Sequence, residues 1–181
     1  MMEELFGAFN PVIALGGLRI FLETGGDVLV IIMVVTFFLW ALIVERYWYF
    51  WGAHRRVARR AVNEWTDRSD HRSWNAHKIR DRLLSGVRLS TEQNIGSIKA
   101  LVAIAPLLGL LGTVTGMVEV FDVMAFTGSS NARAMAAGVS KATIPTMAGM
   151  VASISGLYFS TALDRRAKRE VRRVADRMVI E

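Results

Sequence analysis

The chain has 181 residues, 52% of them hydrophobic and 21% charged, with a formal net charge of +6 and no cysteine. The missing thiol excludes disulfides, thiolate metal sites and cysteine catalysis. Length alone would fit one soluble domain, but three uncharged runs argue against it: Val28–Val44 (17 residues), Ala100–Val118 (19) and Ala142–Leu163 (22). These approach or exceed the ~20 residues that cross a ~30 Å hydrocarbon core.

The charge is distributed unevenly. Residues 51–99 carry eleven Lys/Arg and residues 164–181 carry seven, whereas 1–27 and 125–138 carry one each, Arg19 and Arg133. This positive-inside pattern puts the N-terminus outside and the C-terminus in the cytoplasm, and it displaces the alternative of a soluble, nucleic-acid-binding helical protein.

In chain order, residues 1–26 read as an external amphipathic segment. Leu5–Leu22 is apolar but interrupted by Asn10-Pro11, Gly16-Gly17 and Arg19, which suits a helix lying at the outer surface; a fourth span is the alternative. The start Met1-Met2-Glu3-Glu4 has no basic flank, so no cleaved signal peptide is expected. Residues 27–51 form the first transmembrane helix, starting after Gly25-Gly26, leaving the bilayer at Glu45-Arg46 and ending in the aromatic belt Tyr47–Trp51.

Residues 52–98 form a cytoplasmic helical segment. Val57, Ala58, Ala61, Val62 and Trp65 share one face opposite Arg55, Arg56, Arg59 and Arg60, so the first helix is expected to continue past the belt. The basic face reads as solvated and close to anionic head groups, with a specific partner site as the alternative. Asp67–Asp70 breaks the pattern, and a short helix covers Ser73–Val87. Ser90 with Gln93 has capping-box spacing, which predicts a helix starting there and running into the second span. The second transmembrane helix is 99–124, an external loop at 125–138 contains the turn Phe126–Asn131, the third transmembrane helix is 139–163, and 164–181 is a cytoplasmic tail helix. The fold class is therefore an all-α membrane protein, three transmembrane helices with long cytoplasmic helical extensions.

Two stripes of small residues run along the last two spans. Ala105, Gly109, Gly112, Gly116 and Glu119 share a face with Thr113 beside it, and Ala142, Thr146, Gly149, Ser153, Gly156 and Ser160 share another. Gly109, Gly112, Gly116, Gly149 and Gly156 fit tight helix packing, which lipid-facing positions do not require. Pro106 and Pro145 each remove a helical hydrogen bond, freeing carbonyls near Val102 and Lys141 and predicting kinks. Neither 100–118 nor 142–163 contains Asp, Glu or His, so any proton carried at membrane depth needs a partner's titrating group. His54, His71 and His77 would have to converge with Asp70 to bind metal, and no metal site or cofactor is expected. No nucleophile–base or phosphate-cradle signature points to an enzyme.

Ala105–Met117, Ala-Pro-Leu-Leu-Gly-Leu-Leu-Gly-Thr-Val-Thr-Gly-Met, resembles the second transmembrane helix of the ExbB/TolQ/MotA proton-channel superfamily, most closely ExbB. Gly138–Met150, Gly-Val-Ser-Lys-Ala-Thr-Ile-Pro-Thr-Met-Ala-Gly-Met, is similar to the family's third-helix motif. The resemblance covers 26 residues in the two motifs and is mainly architectural before Ile95. It implies a homo-oligomeric ring in the bacterial inner membrane, a pentamer around an ExbD-type dimer. Thr113 and Thr146 would lie on the lumen wall, with Ser153 a further candidate. The ExbD-type single-span subunit would supply a transmembrane aspartate, and a TonB-type protein would receive the work for outer-membrane transport. A TolQ-like envelope-maintenance motor and a passive helical membrane scaffold are the alternatives.

One position departs from the family. Many ExbB relatives carry glutamate five residues before the third-helix threonine, and this chain has Lys141. A lysine relays protons near neutral pH only if its pKa is strongly depressed, so a charge pair with Glu119 is expected instead. Asp122 is the competing acid, and exposure of both charges to water is the alternative.

Overall fold

The computed structural model describes residues 11–68, 70–71, 73–127 and 132–178, without the side chains of 11–24, 53, 127 and 132–134. The regular structure of the described residues is all helix: α1 (Pro11–Trp51), α2 (Ala53–Thr66), α3 (Trp74–Glu92), α4 (Ile95–Thr127) and α5 (Ala132–Arg177). Three stretches are long and apolar enough to cross a membrane, Gly25–Trp51, Trp74–Phe126 and Met135–Arg177.

Glycine and asparagine mark the breaks. Gly26 adopts φ 67°, which a residue without Cβ reaches at little cost, and it divides α1 into an outer piece and the first apolar span. Residues 1–10 and the 128–131 turn lie outside the described residues, while 125–127 and 132–138, expected within a loop, are helical.

The first helix reaches Trp51, is interrupted at Gly52, at φ −125° and ψ −66°, and resumes as α2. One sequence expectation is corrected. No helix starts at Ser90, because α3 extends to Glu92 and the break falls at Gln93-Asn94, where Asn94 takes φ 62°. Asparagine tolerates that left-handed region. Ser90 Oγ instead donates to Val87 O at 2.9 Å inside α3, so it does not cap a new helix. A serine at an N-cap does exist one helix earlier, where Ser73 Oγ accepts from Ala76 N at 3.1 Å.

The chain divides into two compact units, residues 1–37 with 102–154, and residues 38–101 with 155–181. The first unit takes Leu29, Ile32, Val102, Ala105, Val120, Ala142 and Ala152 into its interior. Its outward apolar residues, such as Phe37, Val151 and Ile154, are 68–70% exposed, a distribution that suits lipid or protein neighbours better than water.

In the second unit, Trp65, Ala61, Ala76, Val87, Val174 and Met178 form a core that joins α2 and α3 to the end of α5. The C-terminal carbonyls of α5 are capped from outside, since Arg80 donates to Met178 O at 2.8 Å and to Ala175 O at 3.2 Å. Lys99 and Lys168 both reach Asp164 at 2.8 Å and hold its carboxyl below the usual carboxylate range. His71 meets Trp65 O at 3.1 Å, and among the described residues no three His, Asp or Glu side chains converge on a metal-sized site.

Candidate functional site

Within the first unit α4 and α5 approach until backbone meets backbone. A Cβ on Gly149 would stand 2.5 Å from Ala105 O and 3.2 Å from Gly109 Cα; one on Gly109 would stand 3.0 Å from Thr146 Cα. At Gly116 it would lie 2.7 Å from Ala142 Cβ, and at Gly112 it would collide with the Pro145 ring while touching Val28. No side chain fits at these positions without a backbone shift, which explains four of the predicted packing glycines. The fifth, Gly156, is buried. Gly138, which the sequence reading quoted but did not assign to packing, belongs with them because a Cβ there would collide with Val120. It extends the glycine-alanine stripe one turn beyond Ala142, and that spacing was the available signal.

The hydroxyls sit along this contact. Thr146 Oγ1 crosses between helices and donates to Gly109 O at 2.8 Å, and Ser153 Oγ donates to Val102 O at 3.0 Å. Thr113 Oγ1 donates to Leu110 O in its own helix at 2.7 Å. Thr146 is therefore level with Gly109, and Thr113 lies about one turn, roughly 6 Å, further along α4. α4 stays helical through Pro106 and α5 through Pro145. The carbonyl four residues before Pro106 is Val102 O, so Ser153 supplies the donor that the proline cannot.

Further along the contact, Lys141 Nζ donates to Glu119 Oε2 at 3.2 Å. The pair is open, with side chains 40% and 64% exposed. Among the described residues Asp122 makes no ion pair. A cavity of about 290 Å³ opens beside Lys141 and Glu119 and is also lined by Gly26, Asp27, Thr115 and Pro145. Asp27 at this cavity was not singled out from the sequence, although its place directly after the Gly25-Gly26 break was visible there.

The arrangement offers hydroxyl oxygens and tight backbone contacts but no Asp, Glu or His within 100–118 or 142–163. Its hydroxyls can order water or another helix's polar group, but they do not themselves titrate near neutral pH.

Comparison with known proteins agrees with this chemistry. Residues 52–176, more than half of the chain, match the MotA/TolQ/ExbB proton channel family. Two proteins of Synechocystis sp. named as ExbB-like biopolymer transport proteins are similar over shorter stretches. ExbB-like 1 is 43% identical over 63 residues, covering 33% of this chain and 25% of that protein. ExbB-like 3 is 36% identical over 64 residues, covering 34% and 30%. The similarity thus spans less than a third of the length of these relatives. Three apolar helices, a glycine contact between the last two and a match across both of them lead to one assignment: the chain is a multi-pass membrane protein that belongs to the MotA/TolQ/ExbB proton channel family.

Proposed function

We propose that the chain is an ExbB-like subunit of an inner-membrane motor, forming a homo-oligomeric ring that couples the proton motive force to outer-membrane transport. An ExbD-type single-span partner carries the titrating aspartate, and a TonB-type protein takes up the work. The N-terminus faces outward and the C-terminus lies in the cytoplasm.

The observation that carries this reading is the commitment of the threonine donors. Thr113 and Thr146 each spend their single O–H on a backbone carbonyl, which leaves only oxygen lone pairs for anything beside them. A wall of acceptors favours water and protonated carriers that approach as donors, and it supplies no competing base. Family membership supports the channel class; the ring and its partners are inferences from the missing carboxylate and the exposed apolar faces. Pro106 and Pro145 serve as flexing points, and Glu119 with Lys141 replaces a relay by a fixed charge pair.

Co-purification from the native membrane followed by a mass measurement of the intact complex tests the assembly. The account requires several copies of this 20.1 kDa chain together with a smaller single-span subunit. A stable monomer, or a homo-oligomer that retains no partner, contradicts it.

A further inference from the structure

The second unit contains a cavity of about 240 Å³ between α2 and α5, lined by His54, Arg55, Arg59, Glu170, Arg173 and Arg177. Arg55 with Arg59 and Arg173 with Arg177 are i,i+4 pairs, so each helix presents two guanidiniums from one face. Four fixed positive charges meet one carboxylate, and that carboxylate is already engaged. Glu170 Oε1 accepts from Arg173 at 2.7 Å, and its Oε2 lies 3.5 Å from His54 Nε2. Among the described residues no carboxylate is within ion-pair distance of Arg55, Arg59 or Arg177.

His54 lies in the cavity wall, 4% exposed, with its Nδ1 buried without a hydrogen-bond partner, a costly state for a polar atom. The first turn of α2 adds to the positive potential, since it holds no acidic residue and its N-cap, Gly52, makes no side-chain cap. All four arginines of the α2 stripe are exposed, but Arg55 and Arg59 line the cavity and Arg56 and Arg60 do not.

We propose that this pocket binds a phosphate-bearing anion, held by Arg55 and Arg59 from α2 and Arg173 and Arg177 from α5, with His54 in its wall. Guanidinium forks match phosphate oxygens two at a time. The volume is below the ~300–1,000 Å³ typical of pockets for drug-sized ligands, so it suits a phosphate group with a small substituent. Two sources share that chemistry, the head group of an anionic phospholipid and free phosphate. The lipid source fits the position, because His54 follows the Tyr47–Trp51 belt by three residues.

The test uses the purified full-length protein in two arms. In lipid-free detergent, inorganic phosphate is titrated while the thermal midpoint and the His54 imidazole signals are followed. In phosphatidylcholine nanodiscs with or without phosphatidylglycerol, retained lipid is counted by native mass spectrometry. Saturable binding is expected in at least one arm, and the responding arm identifies the source. Arg55→Gln/Arg59→Gln and Arg173→Gln/Arg177→Gln are expected to weaken it at least about tenfold, the scale of losing one charged hydrogen bond. Arg56→Gln/Arg60→Gln removes the same charge from the same helix and is expected to leave binding within about twofold, the small effect of a solvated charge that does not line the pocket. Equal weakening by the two α2 pairs would mean diffuse surface charge and overturn the site, as would no saturable response in either arm. Arg55→Lys/Arg59→Lys keeps charge and helix propensity if the glutamine variants fold poorly; unchanged affinity there also counts against the pocket.

Discussion

Ser153 Oγ donates to Val102 O at 3.0 Å, the carbonyl that Pro106 deprives of its helical N–H four residues on. A residue on one helix thus repairs a defect in another, and the repair joins α4 to α5 at one defined register. Interhelical hydrogen bonds of this kind contribute about 1 kcal/mol in membranes.

Ser153→Ala should therefore lower stability by about 1 kcal/mol. In a Pro106→Ala background, where the helix regains its own donor, the same change should cost clearly less. Unfolding of the four variants in mild detergent gives the coupling. Equal costs of Ser153→Ala in both backgrounds would show that the serine does not serve this carbonyl.

Glycine substitutions should divide by position. Gly149→Ala sets a methyl against the Ala105 carbonyl and should destabilise by roughly 1–3 kcal/mol, as overpacking does. Gly96→Ala, where nothing lies within 4 Å, should be neutral or stabilising by up to about 1 kcal/mol from helix propensity. Thermal unfolding of both variants decides, and similar midpoints would remove the close contact from the account.

The exposed Lys141–Glu119 pair should contribute at most about 1 kcal/mol to stability in the isolated chain. If the proposed ring encloses the pair, its coupling strengthens there, and its effect should appear in assembly instead. Lys141→Glu is expected to impair assembly, and adding Glu119→Lys to restore it, as judged by size-exclusion chromatography. Absence of rescue, or rescue by Asp122→Lys instead, would reassign the partner.

His54 gives a pH signature. Burial pushes its imidazole below the usual range; Glu170 opposes that shift and Arg166 reinforces it, and Arg55, Arg59, Arg173 and Arg177 add positive charge around the same cavity. With the folded pKa depressed, the unfolded chain binds the extra proton first. Stability should then fall as pH drops below about 6.5, the ordinary imidazole value. His54→Gln should flatten that slope in unfolding measured between neutral and mildly acidic pH. An unchanged slope would assign the acid sensitivity to another group.

Much of this architecture was legible in the chain. Uncharged runs of span length marked the apolar helices, and the glycine stripes fixed which faces of the last two meet, because only small residues tolerate that approach. Val102 and Ser153 were each recognisable, one as a freed carbonyl and one as a hydroxyl on a stripe, but nothing local joined them. Register between two helices depends on summed packing, which no local pattern in either helix reports. The start of α4 was misplaced because a serine with capping spacing can equally bond back into its own helix, as Ser90 does. The basic face of α2 looked uniform since spacing alone does not reveal where α5 lies, and only tertiary packing separates Arg55 and Arg59 from Arg56 and Arg60.

The central claim is a division of labour: this chain builds the acceptor-lined wall, and a partner brings the proton-carrying carboxylate. Proton flux into liposomes driven by a potassium diffusion potential tests it directly. The protein alone should conduct no more than empty vesicles, the complex with its single-span partner should conduct, and replacing that partner's transmembrane aspartate by asparagine should abolish the current. Flux through this chain alone that equals the flux of the complex would contradict the account.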